Sequence, residues 1–156
     1  MTTAATSLTT LPSLPSNLSR LVCNNTFIRE IKSLPITLKI LLCSHTSLSQ
    51  FPPLPPTLQQ LDCSHTPLTQ LPPLPSTLQQ LDCSHTPLTK LPPLPPSLRE
   101  LKCSNTWLSE LPDLPNDLLV LECENTPLQL PRNQGEPLQD YIKRLNTWNR
   151  RYAAAP

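Results

Sequence analysis

Three times in this chain a histidine stands two residues after a cysteine: Cys43 and His45, Cys63 and His65, Cys83 and His85. A thiol beside an imidazole supports two kinds of chemistry. The imidazole can take the thiol proton and leave a nucleophilic thiolate, or both can ligate a zinc ion. Asp62 and Asp82 add carboxylates that would suit either. The spacing argues against both. Zinc sites draw closely paired cysteines, and no C-x-x-C occurs. The phrase LQQLDCSHTPLTQLPPL at 58–74 returns at 78–94 with only Gln70 changed, to Lys90. A catalytic centre is normally unique, whereas a phrase copied almost letter for letter reads as a building block. No residue is therefore assigned to catalysis, to a cofactor or to a metal.

The cysteines are the ruler of that block. Cys23, Cys43, Cys63, Cys83, Cys103 and Cys123 are each twenty residues apart, within the pattern L-x-x-L-x-C-x-x-T-x-L-x-x-L-P-x-L-P-x-x. The second leucine and the cysteine are two apart, so both face one side of a short strand. The later leucines, such as Leu68, Leu71 and Leu74, must turn back to the same interior. L-P-x-L-P cannot be helical, because proline lacks an amide hydrogen and restricts the residue before it. An extended, polyproline-like return suits its fixed φ. One unit is then a strand, a turn and a return, which buries little alone and a continuous leucine column when stacked. Residues 1–131 hold six such units after an opening half-unit that places Leu8, Leu11 and Leu14 in the same register.

This pattern resembles the leucine-rich repeat family, with cysteine in the third apolar slot and threonine where asparagine usually stands. The L-P-x-L-P half resembles the twenty-residue subclass of bacterial secreted effectors of the IpaH and YopM type. The pattern is also similar to that of short repeat proteins of giant DNA viruses, whose units often read L-x-C-S-x-N before L-P-x-L-P. The resemblance implies a solenoid with parallel β-strands on its concave face and extended returns on its convex face. It also implies a non-catalytic protein–protein interaction module, in the host-cell cytoplasm or as a structural component of a large virus particle with viral structural proteins as partners. The ubiquitin-ligase domain of some such effectors is not carried over to these 156 residues.

Composition agrees with a scaffold. A single glycine, Gly135, excludes glycine-rich phosphate loops, dinucleotide fingerprints and glycine-flanked serine nucleophiles. Net charge is +1, which marks no polyanion binder, and no apolar run approaches the ~18 residues of a membrane span. The opening MTTAATSLTTLPSLPS has neither the basic start nor the apolar stretch of a secretory signal, so reduced thiols are expected. Stacking keeps the cysteines parallel, as buried apolar side chains rather than disulfide partners.

Partner contacts are expected on the outward strand positions. Val22, Ile40 and Leu42 form an apolar group near the N-terminal end, either a contact surface or residues beneath a flanking segment. Asp62, Asp82 and Lys102 continue one of these rows. His45, His65 and His85 share their slot with Asn25, Asn105 and Asn125, as an exposed polar column at the strand ends that should resist charging. Thr26 through Thr126 are expected buried, bridging adjacent turns by their hydroxyls. After Leu130 the ruler fails, and residues 132–156 are expected to form a C-terminal cap with a helix at about 137–152. Pro137 fits a first helical position. Leu138, Tyr141, Ile142, Leu145 and Tyr152 make an apolar face for Leu118, Leu121 and Leu128. Arg132, Lys143, Arg144, Arg150 and Arg151 against Glu136 and Asp140 leave this tail at +3. Trp148, Arg150 and Arg151 therefore form a second candidate contact, for protein rather than nucleic acid.

Overall fold

The computed structural model describes residues 9–152, without the side chain of Tyr152. Leu8 of the opening half-unit and the Tyr152 side chain thus lie outside the described residues. Six three-residue strands follow in chain order: β1 (Arg20–Val22), β2 (Ile40–Leu42), β3 (Gln60–Asp62), β4 (Gln80–Asp82), β5 (Glu100–Lys102) and β6 (Val120–Glu122). One helix among the described residues, α1 (Leu138–Tyr152), follows directly after Pro137. The strands form one parallel sheet in sequence order, each paired with the residue twenty positions on, as Leu61 is with Leu81.

Every unit is built the same way. The middle leucine of each strand points inward and its neighbours outward, so Leu41, Leu61, Leu81 and Leu101 are buried. After the cysteine the chain must leave the strand, and it does so in the left-handed region. Asn25, His45, His65, His85, Asn105 and Asn125 have φ between 53° and 57°. Among residues other than glycine, asparagine and histidine are enriched in that conformation. This explains why those two types alternate in the slot, a backbone reason beyond the polarity read from the sequence. The proline half is an extended return that ends in a tight turn, closed by Leu58 N–H to Pro55 O at 3.1 Å and its equivalents in the other units.

The threonine row is a partial correction. Thr46, Thr66, Thr86 and Thr106 are buried as expected, with Thr26 and Thr126 half-buried. Their hydroxyls turn back into their own units instead of bridging adjacent turns. Each Oγ1 donates to the cysteine carbonyl of its own unit at 2.6–2.9 Å, closing the left-handed turn from within. The bridging falls to a second row that the sequence pattern left unremarked. Thr37, Thr57, Thr77 and Ser97 each share one hydroxyl hydrogen between two carbonyls of the preceding unit.

The core is one column of leucines with the cysteines among them. Cys43, Cys63, Cys83 and Cys103 are fully buried, Cys23 nearly so, and Cys123 is half-buried. Burial raises every one of these thiols, to about 11 for Cys23 and Cys123 and well above the ordinary range for the four between. Cys43 Sγ lies 3.2 Å from the Asp62 carbonyl, which also accepts the Cys43 N–H. A thiol held protonated in a leucine column is a packing group with a weak hydrogen bond.

Candidate interaction surface

The register assembles one outward row from residues far apart in sequence: Val22, Leu42, Asp62, Asp82, Lys102 and Glu122 stand side by side across the sheet. Ile40 lies in the adjoining row between Arg20 and Gln60. Val22 is 54% exposed, so no described segment covers the apolar end, while Ile40 and Leu42 are half-buried. The sheet face therefore runs from an apolar end to a charged one.

The charged end is organised by short contacts. Asp62 Oδ1 accepts from Ser64 N–H at 3.1 Å and Ser64 Oγ–H at 2.8 Å. Asp82 Oδ1 accepts from Ser84 N–H at 3.0 Å. These bonds fix two like charges in neighbouring positions, an arrangement that stacking alone does not favour. Lys102 Nζ lies 3.2 Å from Glu122 and 3.5 Å from Glu100, and the hydrogen bond to Glu122 is the main cause of its raised pKa. Lys102 is thus committed within the sheet, and Asp62 and Asp82 carry the local charge. A shallow hollow of about 210 Å³ lies over Gln60, Asp62, Gln80, Asp82, Glu100 and Lys102.

The histidine column forms the margin of this face. His45, His65 and His85 are exposed, and their rings stack with centroids 4.1 Å apart and planes 12–13° from parallel. Parallel rings aim their lone pairs alongside one another instead of at one point. Among the described residues no group of three or more His, Cys, Asp or Glu is placed to hold a metal ion. Desolvation lowers the pKa of His65, and its two stacked neighbours lower it further. Asn105 Nδ2 lies 3.3 Å from His85 Nε2 and Asn125 Nδ2 donates to Asn105 Oδ1 at 3.1 Å, so the column continues as side-chain amides.

Trp148, Arg150 and Arg151 are not brought to the sheet. They lie on α1, which docks along the return of the fifth unit. Tyr141, Ile142 and Leu145 are buried there. The seat expected on Leu118, Leu121 and Leu128 is shifted: polar side chains of α1 hold it along residues 111–118, while Leu121 and Leu128 line a cavity. Asn146 accepts from Leu114 N–H and donates to Leu114 O, both at 2.8 Å. Asn149 donates to Leu111 O at 3.0 Å, Gln139 to Leu118 O at 3.3 Å, and the Tyr141 hydroxyl to Leu130 O at 2.9 Å. The sequence signal for these amides was the break in the ruler itself, because a return without a successor leaves backbone groups to satisfy. Arg144 clamps Glu136 through two hydrogen bonds at 2.8 and 2.7 Å, which hold that carboxyl down at about 2. Arg150 borders a groove of about 410 Å³ with Leu91, Leu111 and Pro112. Exposed apolar side chains off the sheet, namely Phe27, Ile36, Trp107 and Leu119, were also not singled out from sequence. Phe27 and Trp107 share one slot of the repeat, so reading that column would have paired them.

A stack of twenty-residue units, each a short parallel strand, a left-handed turn and an extended return around a leucine column, defines a leucine-rich repeat protein, and the chain is one. Solved structures place it near a bacterial effector branch of that family. YopM from Yersinia enterocolitica WA-314 matches with a TM-score of 0.67 and 33% identity, over 81% of this chain and 33% of that one. A Shigella effector leucine-rich repeat domain matches with a TM-score of 0.76 and 30% identity, over 81% and 58%. YopM from Yersinia pestis matches with 0.66 and 28%, over 79% and 42%. The chain therefore spans less than two thirds of the length of each of these neighbours. No protein-family model and no curated protein sequence matches it.

Proposed function

We propose that this chain is a non-catalytic interaction module that binds a partner protein across the sheet face. The observation that carries this reading is the row Val22–Leu42–Asp62–Asp82–Lys102. It combines an exposed apolar end with a pair of carboxylates fixed by their own serines, on a scaffold whose central thiols are buried and held protonated. Side chains locked in place before binding lose little entropy on association, which favours recognition. Effectors of the YopM type share the architecture, and we propose the cytoplasm of a host cell as the working place. A second reading, a component of a large virus particle, draws on the Cys-Ser-x-Thr wording of the units; equimolar recovery of the chain with particle proteins would favour it.

Photo-crosslinking residues placed at Leu42 and at Asp82 should capture one and the same partner, and the same group at exposed Ser76 on the return should capture none. Leu42→Asp should weaken that complex by about tenfold or more, as loss of an apolar contact. Equal capture from Ser76, or full binding by Leu42→Asp, would overturn the assignment of the surface.

A further inference from the structure

The C-terminal end of the sheet is finished on one side only. Over the fifth return lies α1, and a helix is about 10 Å thick, whereas neighbouring strands are ~4.8 Å apart. The helix therefore rises about two layers above that return, while the sheet beside it rises one layer, to β6. What remains along β6 is a step one strand deep. Exposure marks it: Leu121 is 9% exposed where Leu101 is 0%, and Cys123 is half-buried where Cys103 is 0%. A cavity of about 410 Å³ lies on the step, lined by Leu121, Cys123 and Leu128 and by the loop at 131–135 that follows the sixth unit.

Backbone groups face the same step. In the fifth unit Cys103 N–H and Asn105 N–H each donate to the sixth at 2.8 Å, and Arg99 O accepts from Leu119 and Val120. Their counterparts in the sixth unit, Cys123 N–H, Asn125 N–H and Leu119 O, have no backbone partner among the described residues. An open strand edge of this kind is a template for one more strand.

We propose that this step is a strand-docking site that takes a single extended segment of a partner protein, parallel to Val120–Glu122. The incoming segment carries two apolar side chains two residues apart, which enter the cavity over Leu121 and Cys123 as those two cover Leu101 and Cys103. This is recognition by strand addition, with the ladder giving affinity and the cavity giving specificity. A second copy of the chain does not fit. Two β6 edges cannot meet, because each α1 stands about a layer proud of its own edge. Placing β1 of another copy on β6 would drive its residues 9–18, stacked on the first unit through the Thr10–Glu30 bridge, into the space of α1. The site is separate from the sheet face and stands or falls independently of it.

The test uses a capped peptide with the sequence of residues 77–84, its cysteine replaced by alanine, titrated against the full chain. In the solenoid Gln80 N–H bonds backward to Gln59 and Cys83 N–H forward to Lys102. N-methylation at the position of Gln80 should thus weaken binding by about tenfold or more, as loss of a ladder bond with steric exclusion, while N-methylation at the position of Cys83 should leave it unchanged. Amide exchange at Cys123 and Asn125 should slow on binding, and the Asp82→Lys variant should bind the peptide as well as the parent chain. Absence of saturable binding, equal effects of the two N-methyl groups, unchanged exchange at Cys123 and Asn125, or concentration-dependent self-association blocked by the peptide would each overturn the proposal.

Discussion

The third and fourth units and the C-terminal end solve one problem in opposite ways. In the middle of the stack each backbone donor finds its acceptor in the next copy of the same phrase, so that Cys63 N–H meets Asp82 O and His65 N–H meets Ser84 O, both at 2.9 Å. The returns need few donors, because proline has removed them. At the end there is no next copy, and the satisfaction passes to side chains: Asn146 offers Leu114 an amide edge that imitates a neighbouring peptide. Repetition makes the middle cheap to specify and tolerant on its surface. Termination needs particular residues at particular places, and it leaves the strand side of the end open.

The largest expected effect lies in the middle. Leu81→Ala removes a buried side chain with neighbours on both sides in the column, and should cost ~2–5 kcal/mol in a denaturant melt. Gln80→Ala beside it, on an exposed strand position, should cost under ~0.5 kcal/mol. Equal losses would mean that the two faces of the strand are exchanged. At the end the effect is smaller, because a pair of hydrogen bonds is lost and no core side chain is removed. Asn146→Ala leaves the N–H and carbonyl of buried Leu114 without their partner and should cost about 1–3 kcal/mol. A melt unchanged by Asn146→Ala would break the contrast between the regions, since the cap would then be held by its apolar face alone. Leu145→Asp probes that face, by placing a charge without a partner in the buried contact, and should release α1 as judged by lost exchange protection at Leu114.

Thiol labelling sharpens the same contrast by exposure. Cys123, half-buried at the open end, should react first with a neutral maleimide at constant pH. Cys63 and Cys83, deep in the column, should react only on unfolding. A raised thiol pKa slows all of them, because the thiolate is the nucleophile. Fast native labelling of Cys63 would mean that the middle opens more readily than the end.

Much of this was legible in the sequence because repetition multiplies a weak signal. One L-x-x-L-x-C fragment says little, but six in register place the strands, the core leucines and the buried cysteines. The helix was legible for a different reason, since Pro137 and the spacing of Leu138, Tyr141, Ile142 and Leu145 carry a helical period. What escaped was the use of polar groups. A threonine in a column does not announce whether its hydroxyl turns to its own unit or to the next. The distance from Thr66 Oγ1 to Cys63 O depends on a left-handed residue between them, whose φ no side-chain pattern encodes directly. Gln139, Asn146 and Asn149 read as solvent residues of an amphipathic helix until the return beneath them is in place. The outward row was legible by register alone, but the partner it fits is not written in one chain.

The smallest effect belongs to the histidine column and separates its two roles, backbone and charge. His65→Asn should be close to neutral at pH 8, because asparagine fills the same left-handed slot in three other units. Its pH dependence should differ. The pKa of His65 is lowered in the folded chain, first by desolvation and then by His45 and His85, although Asp82 and Asp62 act against the shift. A histidine in the unfolded chain titrates near 6.5. The unfolded state therefore binds more protons as pH falls through about 6.5, and stability falls with it. The stability concerned is fully present above that pH, is lost progressively below it, and stops changing once His65 of the folded chain is itself protonated. Replacing the central ring removes the titrating group and also parts the two stacks, so the parent should lose stability between pH 7 and 5 by more than the variant does. The rings are exposed and screened by solvent, so the difference is small and is best read from paired melts at low ionic strength. Identical pH profiles for the two chains would leave the column a purely conformational device, with histidine there for its backbone and its stacking and not for its charge.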